Sequence, residues 1–116
     1  MQTKKSKTEQ RIRIKARIRA KISGTTEIPR LAVFKSNRYI SAQLIDDTTH
    51  TTLASIHSKT LKGKTLLEKS TLVGTTIADQ AKIKKVTKIV FDRGGFRYTG
   101  CVKAVADGAR KGGLIF

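Results

Sequence analysis

The sequence predicts a small α/β (α+β) domain of order βββαβα, a mixed sheet packed by two helices, with a basic N-terminal arm in front. Three observations predict it. Three apolar-rich segments of strand length follow one another between turn residues in the first half of the chain. Two stretches with apolar residues at helical spacing follow in the second half, separated by a short apolar run. Residues 1–22 stand apart, with nine basic side chains against one acid, Glu9.

The totals bound the reading. A chain of 116 residues is one domain with one modest core. Twenty-five Lys and Arg against eight Asp and Glu leave a net charge of +17, which favours a polyanionic partner. The apolar runs fall far short of the roughly 20 residues that span a bilayer, and the N-terminus lacks the apolar core of a secretory signal. A single cysteine, Cys101, excludes an intrachain disulfide and fits a reducing compartment. With no Trp and few aromatics, phosphate contact must carry most of any nucleic-acid binding.

In the arm, Arg11 to Lys21 alternates strictly, basic at odd positions and Ile or Ala at even ones. The period-2 rule reads this as a strand. Arg, Lys and Ala are good helix formers, however, and no turn signal interrupts the stretch. As a helix it carries two basic stripes separated by two narrow apolar ones. Such a segment has no single clean face to bury, so it is expected to order on a polyanion. A solvated tail without a partner is the plainer alternative. Ser23 to Pro29 is a linker broken at Gly24, so residues 1–29 form arm and linker and residues 30–116 the globular domain.

Arg30 to Phe34 and Tyr39 to Ile45 read as strands joined by a Lys35-Ser36-Asn37-Arg38 turn. Thr51 to His57 is the third strand of an antiparallel meander. Asp46 and Asp47 between them read as turn formers rather than paired catalytic carboxylates, because neighbours on an extended chain point apart. Thr65-Leu66-Leu67-Glu68 is a capping box that opens a helix running to about Lys84. Its inner stripe is Leu66, Val73, Ile77 and Ala81, with Leu72 and Ala78 beside them and Gly74 weakening the pattern. Val86 to Phe91 is a strand that breaks at Asp92 into a glycine-bearing loop holding Arg93, Phe96, Arg97 and Tyr98. Val102, Val105, Ala106 and Ala109 recur at helical spacing, Gly112-Gly113 ends that helix, and Leu114 to Phe116 packs back.

Enzymatic motifs are incomplete. Ser58 to Thr65 approaches a phosphate-binding P-loop, but serine stands where the motif needs glycine, and no second motif supplies metal ligands. A basic loop ending in a helix cap is the plainer reading. His50, His57 and Cys101 have no metal-ligand spacing. Cys101 lies near a helix start without a catalytic partner and reads as a small packing residue.

What remains is cationic and arranged in patches. These are the arm (Arg11, Arg13, Lys15, Arg17, Arg19, Lys21), the hairpin tip (Lys35, Arg38), the basic loop (Lys59, Lys62, Lys64) and the glycine-bearing loop (Arg93, Arg97). Charge spread over turns and an arm suits a folded polyanion such as RNA. Tyr39, Phe96 and Tyr98 offer stacking faces beside it, with packing beneath their own loop as the alternative for Phe96 and Tyr98.

Phe91-Asp92-Arg93-Gly94-Gly95-Phe96-Arg97-Tyr98-Thr99-Gly100, with Val102, Ala104, Ala106-Asp107, Ala109-Arg110, Gly113-Leu114 and Phe116, resembles the C-terminal signature of large-subunit ribosomal protein eighteen. Arg30 to Ile40 with Ala42-Gln43 resembles that family's first hairpin, and Leu53-Ala54-Ser55 its third strand. The resemblance implies a structural protein of the large ribosomal subunit, bacterial or organellar, without catalytic activity or cofactor. It implies binding to 5S rRNA through the arm, the hairpin tip (Lys35, Ser36, Asn37, Arg38, Tyr39) and the signature-loop face. It further implies attachment of 5S rRNA to the large rRNA beside neighbouring 5S-binding ribosomal proteins, with no membrane and no small-molecule substrate. Thr99 stands where the family usually has His, and Cys101 where it commonly has Arg, so the resemblance does not extend to those two positions. Two other classes stay open on the residues alone: a nucleotide-binding protein using the degenerate P-loop, and a generic polyanion binder.

Overall fold

Alternation in the first two strands decides which way the sheet faces. In the computed structural model, which describes residues 7–19, 24–63 and 65–116, β1 (Arg30–Lys35) buries Leu31 and Val33. Its antiparallel partner β2 (Ile40–Asp46) buries Ile40, Ala42 and Leu44 on the same face. β3 (Thr51–His57) pairs antiparallel with β2, with a register shift at Leu44/Ile45. β4 (Val90–Asp92) pairs parallel with β1, giving a mixed sheet of order β3-β2-β1-β4. The α+β class and the meander are as the sequence predicts, with β2 moved one residue later so that Tyr39 stays in the turn.

Two helices cover the buried face. α2 (Leu66–Ile83) is capped by Thr65, whose hydroxyl accepts from the Glu68 amide at 3.2 Å. It turns Val73, Ile77, Ala78 and Ala81 inward. Leu72, expected beside that stripe, is exposed instead, because its helical angle takes it past the edge of the sheet contact. α3 (Gly100–Lys111) buries Val102, Val105, Ala106 and Ala109. Each fully buried Leu, Ile or Val in this core contributes about 1.5–3 kcal/mol. Gly74 and Gly108 let the two helices meet backbone to backbone. A Cβ on Gly74 would overlap the Val105 carbonyl, and one on Gly108 the Thr71 carbonyl.

The short fourth strand corrects the sequence reading. Val86 does not open it: its amide donates to the Ala81 carbonyl at 2.9 Å and finishes the C-terminal turn of α2, with Lys85 at φ 60°. Lys88 bridges Ile115, and the Ile89 amide bonds the Ile115 carbonyl, so the C-terminal tail supplies the pairing there. Only Val90–Asp92 joins the sheet, and Asp92 is its last residue rather than the break after it. Leu114 is buried and Phe116 stacks on Phe91 at 5.5 Å, so the tail does pack back.

The arm is helical over Lys7–Arg19, labelled α1, the helix that its Arg, Lys and Ala favour over the strand read from its period-2 alternation. The sequence alone offers this helix no face to bury. The fold supplies one: Arg11, Ile14 and Ile18 are half-buried on one flank, while Ile12, Arg13, Ala16 and Arg17 are exposed.

Candidate nucleic-acid interface

The sheet topology places three of the basic segments at one end. β1, β3 and β4 run in the same direction, since β2 is antiparallel to both β1 and β3 and β4 is parallel to β1. Their carboxyl ends carry the hairpin tip, the loop after His57 and the loop after Asp92. The register fixes this, with Lys35 opposite Ile40 and Ser41 opposite His57.

At the hairpin tip, the Ser36 amide donates to the Tyr39 carbonyl at 2.8 Å and the Tyr39 amide to Ser36 Oγ at 3.2 Å. Ser36 is therefore occupied in building the turn. Asn37, Arg38 and Tyr39 are exposed, and Lys35 is half-buried. The Tyr39 ring lies 5.2 Å from His57, which joins the tip to the following loop. That loop begins as a 3-10 turn, Ser58–Thr60. Ser58 is buried, and its Oγ accepts from the Ile40 amide at 3.0 Å. The would-be P-loop is thus held by strand and cap contacts at Ser58 and Thr65. Lys59 and Lys62 are exposed on it. Lys64 and Lys21 lie outside the described residues, as does the side chain of Arg19. Among the described residues no cluster of His, Cys, Asp or Glu has the makings of a metal site.

The loop after β4 is built by its own polar groups. Asp92 Oδ1 accepts from the Gly94 amide at 2.9 Å, and Gly94 and Gly95 take φ of 66° and 82°. That left-handed backbone is open to glycine at little strain. Arg93 turns back and donates from Nη1 to the Phe96 carbonyl at 3.0 Å. Arg97 is exposed. Phe96 is half-buried and meets Phe34 edge to face at 5.8 Å, so it packs beneath its loop. Tyr98 meets Phe91 at 5.7 Å, and its hydroxyl accepts from Arg110 Nη1 at 3.1 Å. It is only 37% exposed, so its ring is partly committed to the protein.

The arm meets this loop. The Arg11 guanidinium lies 4.9 Å from the Phe96 ring centre and 6.0 Å from that of Phe34. A Cβ on Gly95 would overlap the Arg11 carbonyl. Arm, hairpin and glycine-bearing loop therefore converge on one aromatic pair. Lys15 lies over the open sheet face, where Ala32, Phe34, Ser41 and Gln43 line a shallow groove. Acids gather at the far end: Asp47 is paired with Arg30, and Asp46 accepts from Thr26 at 2.7 Å and from Thr48. The Thr48 and Thr26 hydroxyls hold the Asp46 carboxyl well below the usual carboxylate range. The Arg30 clasp is a feature that sequence reasoning missed. The sequence carries no local signal for it, because β1 alternation puts Arg30 on the open face with Ala32 and Phe34, opposite Leu31 and Val33.

A sequence model of the family described as ribosomal L18 of archaea, bacteria, mitochondria and chloroplast matches residues 5–116. The chain belongs to this family. It is 52% identical to the large ribosomal subunit protein uL18 of Desulfosudis oleivorans over 95% of each chain. The proteins of the same name from Lactococcus lactis subsp. cremoris and Lactobacillus delbrueckii subsp. bulgaricus are 52% and 49% identical over the whole of both chains. As an L18-family member the protein is an RNA-binding structural component of the large ribosomal subunit and acts in translation, not as an enzyme. No helix among the described residues is long and apolar enough to cross a membrane.

Proposed function

We propose that this L18-family protein binds 5S rRNA and helps fix it to the large rRNA, beside neighbouring 5S-binding ribosomal proteins. The observation that carries the reading is the convergence of basic segments at the carboxyl ends of β1, β3 and β4. Arg13 and Arg17 on α1, Lys35 and Arg38 at the tip, Lys62 on the next loop and Arg97 on the signature loop are its phosphate contacts. Arg11, Lys15, Arg19, Lys21, Lys64 and Arg93 complete the cationic set. Ser36, Asn37, Tyr39 and Tyr98 border it with hydroxyl, amide and aromatic groups. Such an interface reads shape, phosphates and splayed bases.

Footprinting of the full chain on a 5S rRNA transcript, paired with affinity measured against salt, tests this. If the six cations named as phosphate contacts each meet one phosphate, the log–log slope is about −5 with the duplex-DNA coefficient as guide. A discrete protected region and tighter binding than to an unrelated RNA of equal length are expected. Equal affinity for both RNAs would point to a generic polyanion binder and overturn the proposal.

A further inference from the structure

We infer that Arg11 is a positioning residue: its guanidinium, seated against Phe96 and Phe34, sets α1 on the signature loop so that Arg13 and Arg17 face the RNA. The inference rests on the reading that the arm contacts rRNA, and it divides labour among cations that the sequence makes look equivalent.

Helix geometry sorts them. At about 100° per residue, Arg11 and Lys15 share one stripe and Arg13 and Arg17 the opposite one. Of the first stripe, Arg11 is seated on the domain, while Lys15 is exposed over the open sheet face. Arg11 is half-buried, with its guanidinium 4.9 Å from the Phe96 ring centre. The α1 backbone itself comes down on the loop, because a Cβ at Gly95 would stand 3.2 Å from the Lys15 amide nitrogen and closer still to Arg11. A positive φ and an approach this close leave little but glycine at position 95. The second stripe is exposed, and Gln10, Arg13, Ile14 and Arg17 line a concavity along the helix.

Position and charge separate experimentally. Arg11→Met removes the charge but keeps an unbranched, polarizable chain able to pack on the two rings. Arg11→Gln removes the charge and most of the packing. The full-length variants are titrated against a 5S rRNA transcript over a range of salt, and amide exchange of α1 and Gly95 is followed in the RNA-free proteins. Arg13→Gln with Arg17→Gln should lower the salt slope by about 1.5 and leave amide exchange unchanged. Arg11→Gln should weaken binding about two- to fivefold, as loss of one cation–π contact implies, and should speed exchange in α1. Arg11→Met should restore both affinity and exchange towards wild type, with an unchanged slope. A slope that falls by about 0.7–0.9 in Arg11→Met, as for a lost phosphate contact, overturns the inference alone. An unchanged slope in the Arg13/Arg17 double variant overturns the arm-to-RNA reading beneath it.

Discussion

Arg30 Nη1 donates to Asp92 Oδ2 at 2.7 Å, with side chains only 6% and 1% exposed, between residues 62 positions apart in the chain. The rest of the guanidinium grips Asp47 through Nε at 3.0 Å and Nη2 at 3.1 Å. Asp92 spends its other oxygen on the Gly94 amide, and Asp47 also accepts from the Gly24 amide at 2.6 Å. One arginine thus ties the linker, the far end of the first hairpin and the root of the signature loop.

Removing one member of such a set costs more than the set contributes, because a charge is left buried without its partner. Arg30→Met should therefore destabilise the fold by about 3–5 kcal/mol in urea unfolding. Arg30→Lys keeps the charge but lacks the planar fork that meets two carboxylates, so it should fall between wild type and Arg30→Met. If the two variants proved equally stable, charge compensation would not be what holds this site.

The helix crossing gives a prediction in which two effects oppose. Replacing a mid-helix glycine by alanine should stabilise by about 1 kcal/mol from propensity alone. At Gly74 the added methyl would collide with the Val105 carbonyl, which belongs to backbone and cannot swing aside. Overpacking of this kind costs about 1–3 kcal/mol, so Gly74→Ala should come out destabilising in thermal unfolding. Gly108→Ala, facing the Thr71 carbonyl, should do the same.

Acid stability should turn on Asp46. Hydrogen bonds from Thr48 and Thr26 place its folded pKa below the unfolded value, near 3.9. Its contribution is therefore complete above that value and is lost as pH falls towards the folded pKa. Arg30 is raised above its ordinary value, by the hydrogen bond to Asp47 first, so its contribution is complete below that value for as long as its carboxylate partners stay ionised. Wild-type stability should hold from neutrality to about pH 4 as far as these two groups govern it, then decline. Asp46→Asn should be less stable at pH 7 and flatter below pH 4, measured as urea midpoints across the range. An unchanged acid slope would show that the threonine bonds do not matter to folding.

The legible parts of this fold are those written at short range. Val102, Val105, Ala106 and Ala109 declare a helix by spacing alone, and Thr65 declares the start of another. Ser36 and Asn37 mark the hairpin. The signature loop is legible as a family motif. What was not legible depends on partners distant in sequence. Val86 looks like a strand residue because it is apolar and β-branched, yet the last turn of α2 takes its amide. Arg30 looks like a surface cation because nothing nearby announces Asp92. Gly74 reads as a weak point in a helix until Val105 is placed against it. The strict alternation of the arm suits strand or helix, and only Gly95 and Phe96 show which flank of α1 has a seat.

The two signature-loop arginines, adjacent in role by sequence, should behave differently. Arg93 is half-buried and donates to the Phe96 carbonyl, which shapes the turn beneath the arm. A hydrogen bond from a charged donor is worth about 1.5–3 kcal/mol where it is sheltered, and this partly exposed one should lie at or below the lower end of that range. Arg93→Gln should therefore lower the unfolding midpoint. Arg97 is exposed, and its replacement by Gln should leave stability within about 0.5 kcal/mol of wild type. If the interface is as proposed, Arg97→Gln should still weaken binding to a 5S rRNA transcript and reduce the salt slope by about 0.7–0.9, the signature of one lost phosphate contact. Thermal unfolding and salt-dependent titration on the same two proteins separate the roles. A stable Arg97→Gln protein with wild-type affinity and slope would remove that residue from the interface and leave the loop a structural seat for α1.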